Sequence, residues 1–134
     1  MTDATLLAVL DVLLPGDEGE PPLPSASAAG LDPAALARVA EPVLEALGDH
    51  DGFLTASTAV RVARLRAIEQ ARPEAFKALL AEALASYYEA PLVLAALGWR
   101  AAPPQPHGHD VAPTDSGTLR LLKRVKQRGR LWRA

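Results

Sequence analysis

The amino-acid sequence predicts an all-α protein, a single compact domain of five or six helices joined by long proline-rich loops. Apolar residues make up 49% of the 134 residues and aromatic residues only 4%, so the core must be aliphatic. Ala and Leu dominate the chain, and both favour helix over strand. Apolar residues recur at helical spacing, whereas alternating strand patterns, heptads and internal repeats are not found. A chain of this length forms one domain.

The first half of the chain predicts two helices. Residues 15–30 contain four prolines and three glycines and should form a long acidic loop without a regular element. Asp32 and Pro33 are typical of an N-cap and a first turn. Pro42 should kink or split the helix that follows, and residues 48–54 have the composition of a turn. The helix before the loop has leucines at helical spacing, namely Leu6, Leu10, Leu13 and Leu14.

Two longer helices follow in the sequence. One is expected to begin with Thr55 or Ser57 as its N-cap and to end near Ala71. The other begins at Pro73 and has the most regular apolar face of the chain. That face consists of Phe76, Leu79, Leu80, Ala83, Leu84 and Tyr87.

The last third combines short helices with a long loop. Pro91 should begin a short helix through Leu97, with Gly98 as its C-terminal stop. Residues 100–117 contain four prolines and no apolar period, which indicates an extended loop. A final helix that stops near Gly129 is predicted by Leu119, Leu122 and Val125.

Charge is distributed unevenly along the chain. Residues 1–99 carry 6 Lys/Arg and 14 Asp/Glu, a net of −8, and residues 100–134 carry 8 and 2, a net of +6, which together give −2. The domain is therefore expected to consist of an acidic helical body (1–99), a Pro-rich loop (100–117) and a basic C-terminal helix and tail (118–134). Such asymmetry favours an anionic partner or a tail that folds back on the body.

The sequence contains no self-contained active site. No serine lies in a nucleophile-elbow context, no glycine-rich phosphate cradle is present, and the chain has no cysteine. His107, His109 and Asp110 could ligate a divalent metal, and a metal-dependent enzyme is one alternative reading. Because these residues lie in a proline-rich loop, they could equally form a solvated turn that binds no metal. No metal site is assigned to them. A further acid–imidazole group is formed by Asp49, His50 and Asp51.

Aromatic and basic side chains are the candidates for partner binding. Trp and Tyr often dominate the binding energy of interfaces, and Tyr88 lies one step off the core face of its helix. The basic tail could dock as an amphipathic helix, bind nucleic acid or contact an anionic headgroup layer. The residues expected to contact a partner are Tyr88, Trp99, Pro104, Pro106, Arg128, Arg130 and Trp132.

Four segments carry a family resemblance: LLAVLDVLLPGDEGEPPLPSA, YYEAPLVLAALGW, PPQPHGHD and KRVKQRGRLWR. They resemble the gluconate 2-dehydrogenase subunit 3 family, in which an aliphatic N-terminal helix runs into an acidic, Pro/Gly-rich loop. The resemblance spans most of the chain. It implies a small, non-catalytic subunit that binds no cofactor and supports the folding, stability or export of a large dehydrogenase subunit.

The resemblance also implies the partners. The large subunit would be a flavoprotein of the glucose-methanol-choline type that carries FAD and oxidises a sugar, sugar acid or polyol, often together with a cytochrome c subunit. Family members commonly bear a twin-arginine signal, which this sequence lacks. We therefore expect a cytoplasmic location as synthesised, and a periplasmic one only by co-export with a signal-bearing partner. No membrane span is expected.

A different class of function remains open from the residues alone. The chain could be a small helical regulatory or nucleic-acid-associated adaptor that acts through its basic C-terminal tail. Binding to DNA or RNA that weakens steeply as the salt concentration rises would distinguish this adaptor from a dehydrogenase subunit.

Overall fold

The computed structural model describes residues 2–99, 108, 110 and 112–129, which contain seven α-helices and no β-strand. The all-α prediction is thereby confirmed. The chain divides into two compact units, Met1–Arg100 and Ala101–Ala134. The first contains α1 (Thr2–Leu13), α2 (Pro33–Leu47), α3 (His50–Thr55), α4 (Thr58–Ala71), α5 (Pro73–Glu89) and α6 (Pro91–Ala96). The second contains α7 (Ser116–Gln127).

The core of the first unit is aliphatic, as its composition requires. Helix α2 packs mainly against α5, and α1 packs against α2, α3 and α4. The apolar faces predicted for α1 and α5 supply some of the core's buried side chains, including Leu6, Leu10 and Leu79, whereas Phe53 lies on α3, which was not predicted as a helix. The largest that are fully buried are Leu6, Val9, Leu10, Val43, Phe53, Leu79 and Val93.

Helix α3 replaces the turn expected at residues 48–54, and it raises the helix count to seven. Its N-cap is Asp49, whose carboxylate accepts a hydrogen bond of 2.9 Å from the amide of Gly52. At its other end Arg61 of α4 donates from Nε to the carbonyl of Phe53 at 2.9 Å, and the guanidinium lies 5.6 Å from the centre of the buried Phe53 ring. The helix is therefore stabilised by one local cap and by tertiary contacts, and its apolar content alone does not reveal it.

Helix α2 is continuous through Pro42, so of the two expected outcomes, a kink or a split, the split does not occur. Pro42 has no N–H to donate to the carbonyl of Arg38. Arg38 is exposed, so water can satisfy that carbonyl. Ala40 and Val43 on either side of the proline are fully buried, and their packing holds the two halves in one helix.

The loop between α1 and α2 has no regular element, as predicted, but it is tied to the body. Asp17 and Leu23 form an antiparallel pair with N···O distances of 2.9 and 2.8 Å. The Ser27 amide donates to a carboxylate oxygen of Asp11 at 2.8 Å. Gly16 adopts a φ of +80°, and a Cβ there would lie 2.7 Å from the carbonyl oxygen of Leu23. The acidic residues at the tip of the loop are thus presented on a fixed backbone.

Helix α7 of the second unit has a strong N-cap. The carboxylate of Asp115 accepts hydrogen bonds from the Thr118 amide at 2.9 Å and from the Thr118 hydroxyl at 2.5 Å. These bonds lower the pKa of Asp115. The helix ends at Gln127, and Gly129 follows with a φ of +69°, which confirms the predicted stop.

The lowered pKa of Asp115 predicts acid fraying of α7. The folded state binds the proton of the Asp115 carboxyl less tightly than the unfolded state does. The cap therefore stabilises the helix fully at pH values above the ordinary carboxyl pKa of about 4. This stabilisation is lost as the pH falls through the lowered pKa. The amide resonance of Thr118 should follow this titration in an NMR experiment. Asp115→Asn keeps a capping oxygen but no titrating carboxyl, and a titration of the same size in that variant would contradict the assignment.

Candidate partner-binding surface

Helices α5 and α6 meet at a sharp corner. Pro91 excludes the preceding residue from the helical region, and Ala90 is accordingly extended, with φ −64° and ψ 130°. This single residue ends α5 and starts α6 in a new direction. Val93 is fully buried and anchors α6 to the body. The corner is therefore a rigid part of the fold.

Tyr87 joins this corner to the acidic loop. Its side chain is buried, and its hydroxyl donates a hydrogen bond of 2.6 Å to the carbonyl of Pro24. The ring of Tyr88 packs edge-on against it, with 5.4 Å between centroids and 82° between planes. Burial, with a smaller effect of Tyr88, raises the pKa of Tyr87.

Tyr87→Phe should lower the free energy of unfolding by about 1 kcal/mol, because it removes the hydrogen bond and leaves the Pro24 carbonyl without this donor. The raised pKa means that the folded state holds the phenolic proton more tightly. The free energy of unfolding should therefore fall as pH rises above the ordinary tyrosine pKa of about 10. Tyr87→Phe has no hydroxyl to titrate, so its stability should lack this pH dependence. Urea denaturation measures both effects. Tyr88→Phe is the matched control and should leave stability nearly unchanged.

A C-terminal glycine motif fixes the backbone of Trp99. The Trp99 amide donates to the carbonyl of Leu94 at 2.9 Å, and the Gly98 amide donates to the carbonyl of Ala95 at 3.0 Å. Gly98 has a φ of +69°. This is the hydrogen-bond pattern of a Schellman motif, which confirms Gly98 as the predicted stop. The indole of Trp99 is nevertheless 60% exposed.

Four large apolar side chains are exposed between residues 88 and 99. Single exposed apolar residues are common on protein surfaces, but a cluster of them marks an interaction site. The exposed fractions are 51% for Tyr88, 58% for Leu92, 47% for Leu97 and 60% for Trp99. We refer to these four residues as the corner patch.

An acid-rimmed cleft lies at the same corner. It has a volume of about 230 Å³ and is lined by the end of the acidic loop, the start of α2 and the α5–α6 corner. Asp32 and Glu89 contribute carboxylates to its lining. Asp32 also caps α2 by accepting from the Ala34 amide at 2.9 Å. The corner therefore combines apolar side chains with negative charge.

The predicted partner-binding residues are distributed over both units. Tyr88 and Trp99 belong to the corner patch of the first unit, and Arg128 is an exposed residue at the C-cap of α7 in the second. The remaining four, Pro104, Pro106, Arg130 and Trp132, lie outside the described residues.

The metal candidates cannot be assembled into a site from the described residues. Asp110 is exposed, and His107 and His109 lie outside the described part of the chain. Across the residues that the structure describes, no group of three or more His, Asp or Glu side chains could hold a metal ion.

The second acid–imidazole group has structural roles. The Nε2 atom of His50 lies 3.2 Å from the carbonyl oxygen of Leu44, near the end of α2. Asp49 caps α3 and pairs with the guanidinium of Arg64 at 3.8 Å. These contacts join α2, α3 and α4 where the chain reverses direction.

Sequence reasoning missed Leu92 and Leu97. Both fit the apolar content of a short helix and were assigned only to that helix. The buried positions Tyr87, Ala90 and Val93 fall at a spacing of three residues. Leu92 and Leu97 lie off this face, but the sequence does not show which face of so short a helix is buried, so no local signal identifies them.

The chain matches no protein-family model, no curated protein and no solved structure. No helix within the described residues is both long and apolar enough to cross a membrane.

Proposed function

We propose that this chain is a non-catalytic small subunit that binds and stabilises, or chaperones, a large FAD-dependent sugar or alcohol dehydrogenase subunit. One observation carries the proposal: the corner patch occupies residues 88–99, and the segment YYEAPLVLAALGW that carries the family resemblance occupies residues 87–99. Within this segment, the four residues of the corner patch have exposed apolar side chains.

The chemistry of the corner defines the surface it would bind. Trp99 and Leu92 supply apolar area for a pocket at the centre of an interface, where aromatic anchors contribute most of the binding energy. Asp32 and Glu89 of the adjacent cleft favour a partner with basic residues around that pocket. The complementary surface on the large subunit is therefore an apolar pocket with Arg or Lys at its rim.

The family resemblance implies the division of labour. The large subunit carries FAD and performs the oxidation, this chain carries no cofactor, and a cytochrome c subunit is a further partner in the proposal. Large multidomain proteins expose apolar surface while they fold, and such intermediates aggregate. A small subunit that covers an apolar pocket early would raise the yield of folded flavoprotein. Assembly would take place in the cytoplasm.

Co-expression with the flavin-dependent dehydrogenase encoded nearest to this chain tests the proposal. The tagged chain should co-purify with that dehydrogenase and its bound FAD, and the yield of soluble, flavin-loaded enzyme should fall when the chain is omitted. A dehydrogenase that loads FAD, remains soluble and shows full activity alone, without binding this chain, would contradict the proposal.

A further inference from the structure

Helix α7 has an apolar strip that its own unit leaves exposed. At about 3.6 residues per turn, four of its residues fall on one side of the helix at i, i+3, i+4 and i+7. They are Thr118, Leu121, Leu122 and Val125, and the three aliphatic side chains among them are 54–60% exposed. Leu119, at the edge of this strip, is 50% exposed. We refer to these five residues as the α7 strip.

The remainder of α7 is cationic. The helix and its C-cap carry Arg120, Lys123, Arg124, Lys126 and Arg128, and no acidic residue lies between Ser116 and Gly129. The same helical geometry puts Lys126 and Arg128 on the two edges of the α7 strip and the other three cations on the opposite side. Long basic side chains at such edges can extend their charges away from a buried apolar face.

We propose that α7 binds an anionic lipid surface, lying in the plane of the headgroups with the α7 strip inserted. A basic amphipathic helix of low overall hydrophobicity, with aliphatic residues on the other face, is the form that interfacial binding takes. The five cations, unopposed by any acid on the helix, are complementary to anionic headgroups. This inference does not depend on the proposed function.

A protein groove is the less suitable occupant. Helices that dock into protein grooves also present apolar anchors at i, i+3, i+4 and i+7, but the residues that dominate interface binding energy are enriched in Trp, Tyr and Arg, and Leu and Val are under-represented among them. The α7 strip has only Leu, Val and Thr side chains. Burying them in a fluid apolar layer is as favourable as burying them in a shaped pocket. Nucleic acid would complement the cations but would leave the exposed leucines without an apolar environment.

Vesicle co-sedimentation of the full chain tests this assignment. The chain should bind vesicles of phosphatidylcholine mixed with phosphatidylglycerol and should not bind vesicles of phosphatidylcholine alone, and added salt should weaken the binding. Leu122→Gln should weaken it about tenfold, because one inserted side chain becomes polar. The pair Lys126→Gln and Arg128→Gln, at the edges of the α7 strip, should weaken it roughly 25-fold, at about fivefold for each cation near the surface.

Val60→Gln is the matched control, since Val60 is an exposed apolar residue of α4, 45% accessible. It should bind anionic vesicles as the unaltered chain does. Lack of binding to anionic vesicles would overturn the proposal, and so would unchanged binding by Leu122→Gln. Salt-sensitive binding of duplex DNA without vesicle binding would instead assign α7 to nucleic acid. If the unaltered chain did not bind vesicles and Leu122→Gln lost dehydrogenase binding, the α7 strip would be assigned to the protein partner.

Discussion

Phe53→Ala should lower the free energy of unfolding by about 3–5 kcal/mol, the range found when a buried Phe is truncated. The side chain is fully buried on α3, and the Arg61 guanidinium covers its ring. Because domains of this size are stable by only about 5–15 kcal/mol, the loss is a large part of the total. Chemical denaturation followed by circular dichroism measures it as a shift of the midpoint at constant slope.

Two substitutions make this result specific to the core position. Phe53→Leu keeps most of the apolar volume and should cost less than about 1.5 kcal/mol. Tyr88→Ala removes an aromatic ring that is 51% exposed and packs edge-on against Tyr87, and it should cost no more than about 1.5 kcal/mol. If Phe53→Ala cost no more than Tyr88→Ala, α3 would not contribute to the core as described.

Trp99→Ala should weaken binding of the large dehydrogenase subunit by at least about 2 kcal/mol, which is roughly 30-fold in Kd. The indole is the most exposed aromatic side chain of the corner patch, and its backbone is held by the Gly98 motif. Most of the change should appear as faster dissociation, because mutants of one interface differ mainly in that rate. Surface plasmon resonance with the immobilised flavoprotein measures both rates.

Val60→Ala is the control for this measurement. It removes an exposed apolar side chain of α4, outside the corner patch, and should leave Kd within about twofold. Unfolding curves of Trp99→Ala should overlay those of the unaltered chain, since the indole is not part of the core. Equal Kd values for Trp99→Ala and the unaltered chain would remove the corner patch as the contact surface.

Proline and glycine signals made much of the fold predictable. Pro73 and Pro91 begin α5 and α6, because the fixed φ of proline suits the first turn of a helix. Gly98 and Gly129 follow the ends of α6 and α7, because glycine readily adopts the positive φ found there. The apolar face of α5 was also predicted correctly at Phe76, Leu79, Ala83 and Tyr87. In each case the local signal and the tertiary packing agree.

The errors occur where tertiary contacts outweigh local sequence. The six residues of α3 are too few to be stable alone, and the helix depends on Arg61 and on the burial of Phe53. Packing on both sides of Pro42 kept α2 in one piece, although a proline inside a helix favours a break. These contacts join residues distant in sequence, and one sequence read alone does not contain them.

The corner patch was only half predictable for a related reason. Tyr88 and Trp99 were proposed as contact residues because Trp and Tyr often dominate the binding energy of interfaces and because Tyr88 lies one step off the core face of its helix. Leu92 and Leu97 look like core residues until the buried face of α6 is known, and that face is set by Val93 packing on the body. Side chain identity therefore indicated the anchors, and the fold had to supply the rest of the surface.

The Gly98 motif has a consequence for the thermodynamics of association. Disordered binding segments lose backbone entropy when they order on a partner, and this loss lowers their affinity. The backbone of Trp99 is already fixed through its own amide and that of Gly98. Its backbone entropy was therefore lost when the chain folded. Binding through Trp99 should then resemble the docking of a preformed surface, with little change in helicity and with a heat-capacity change set by the apolar area that is covered.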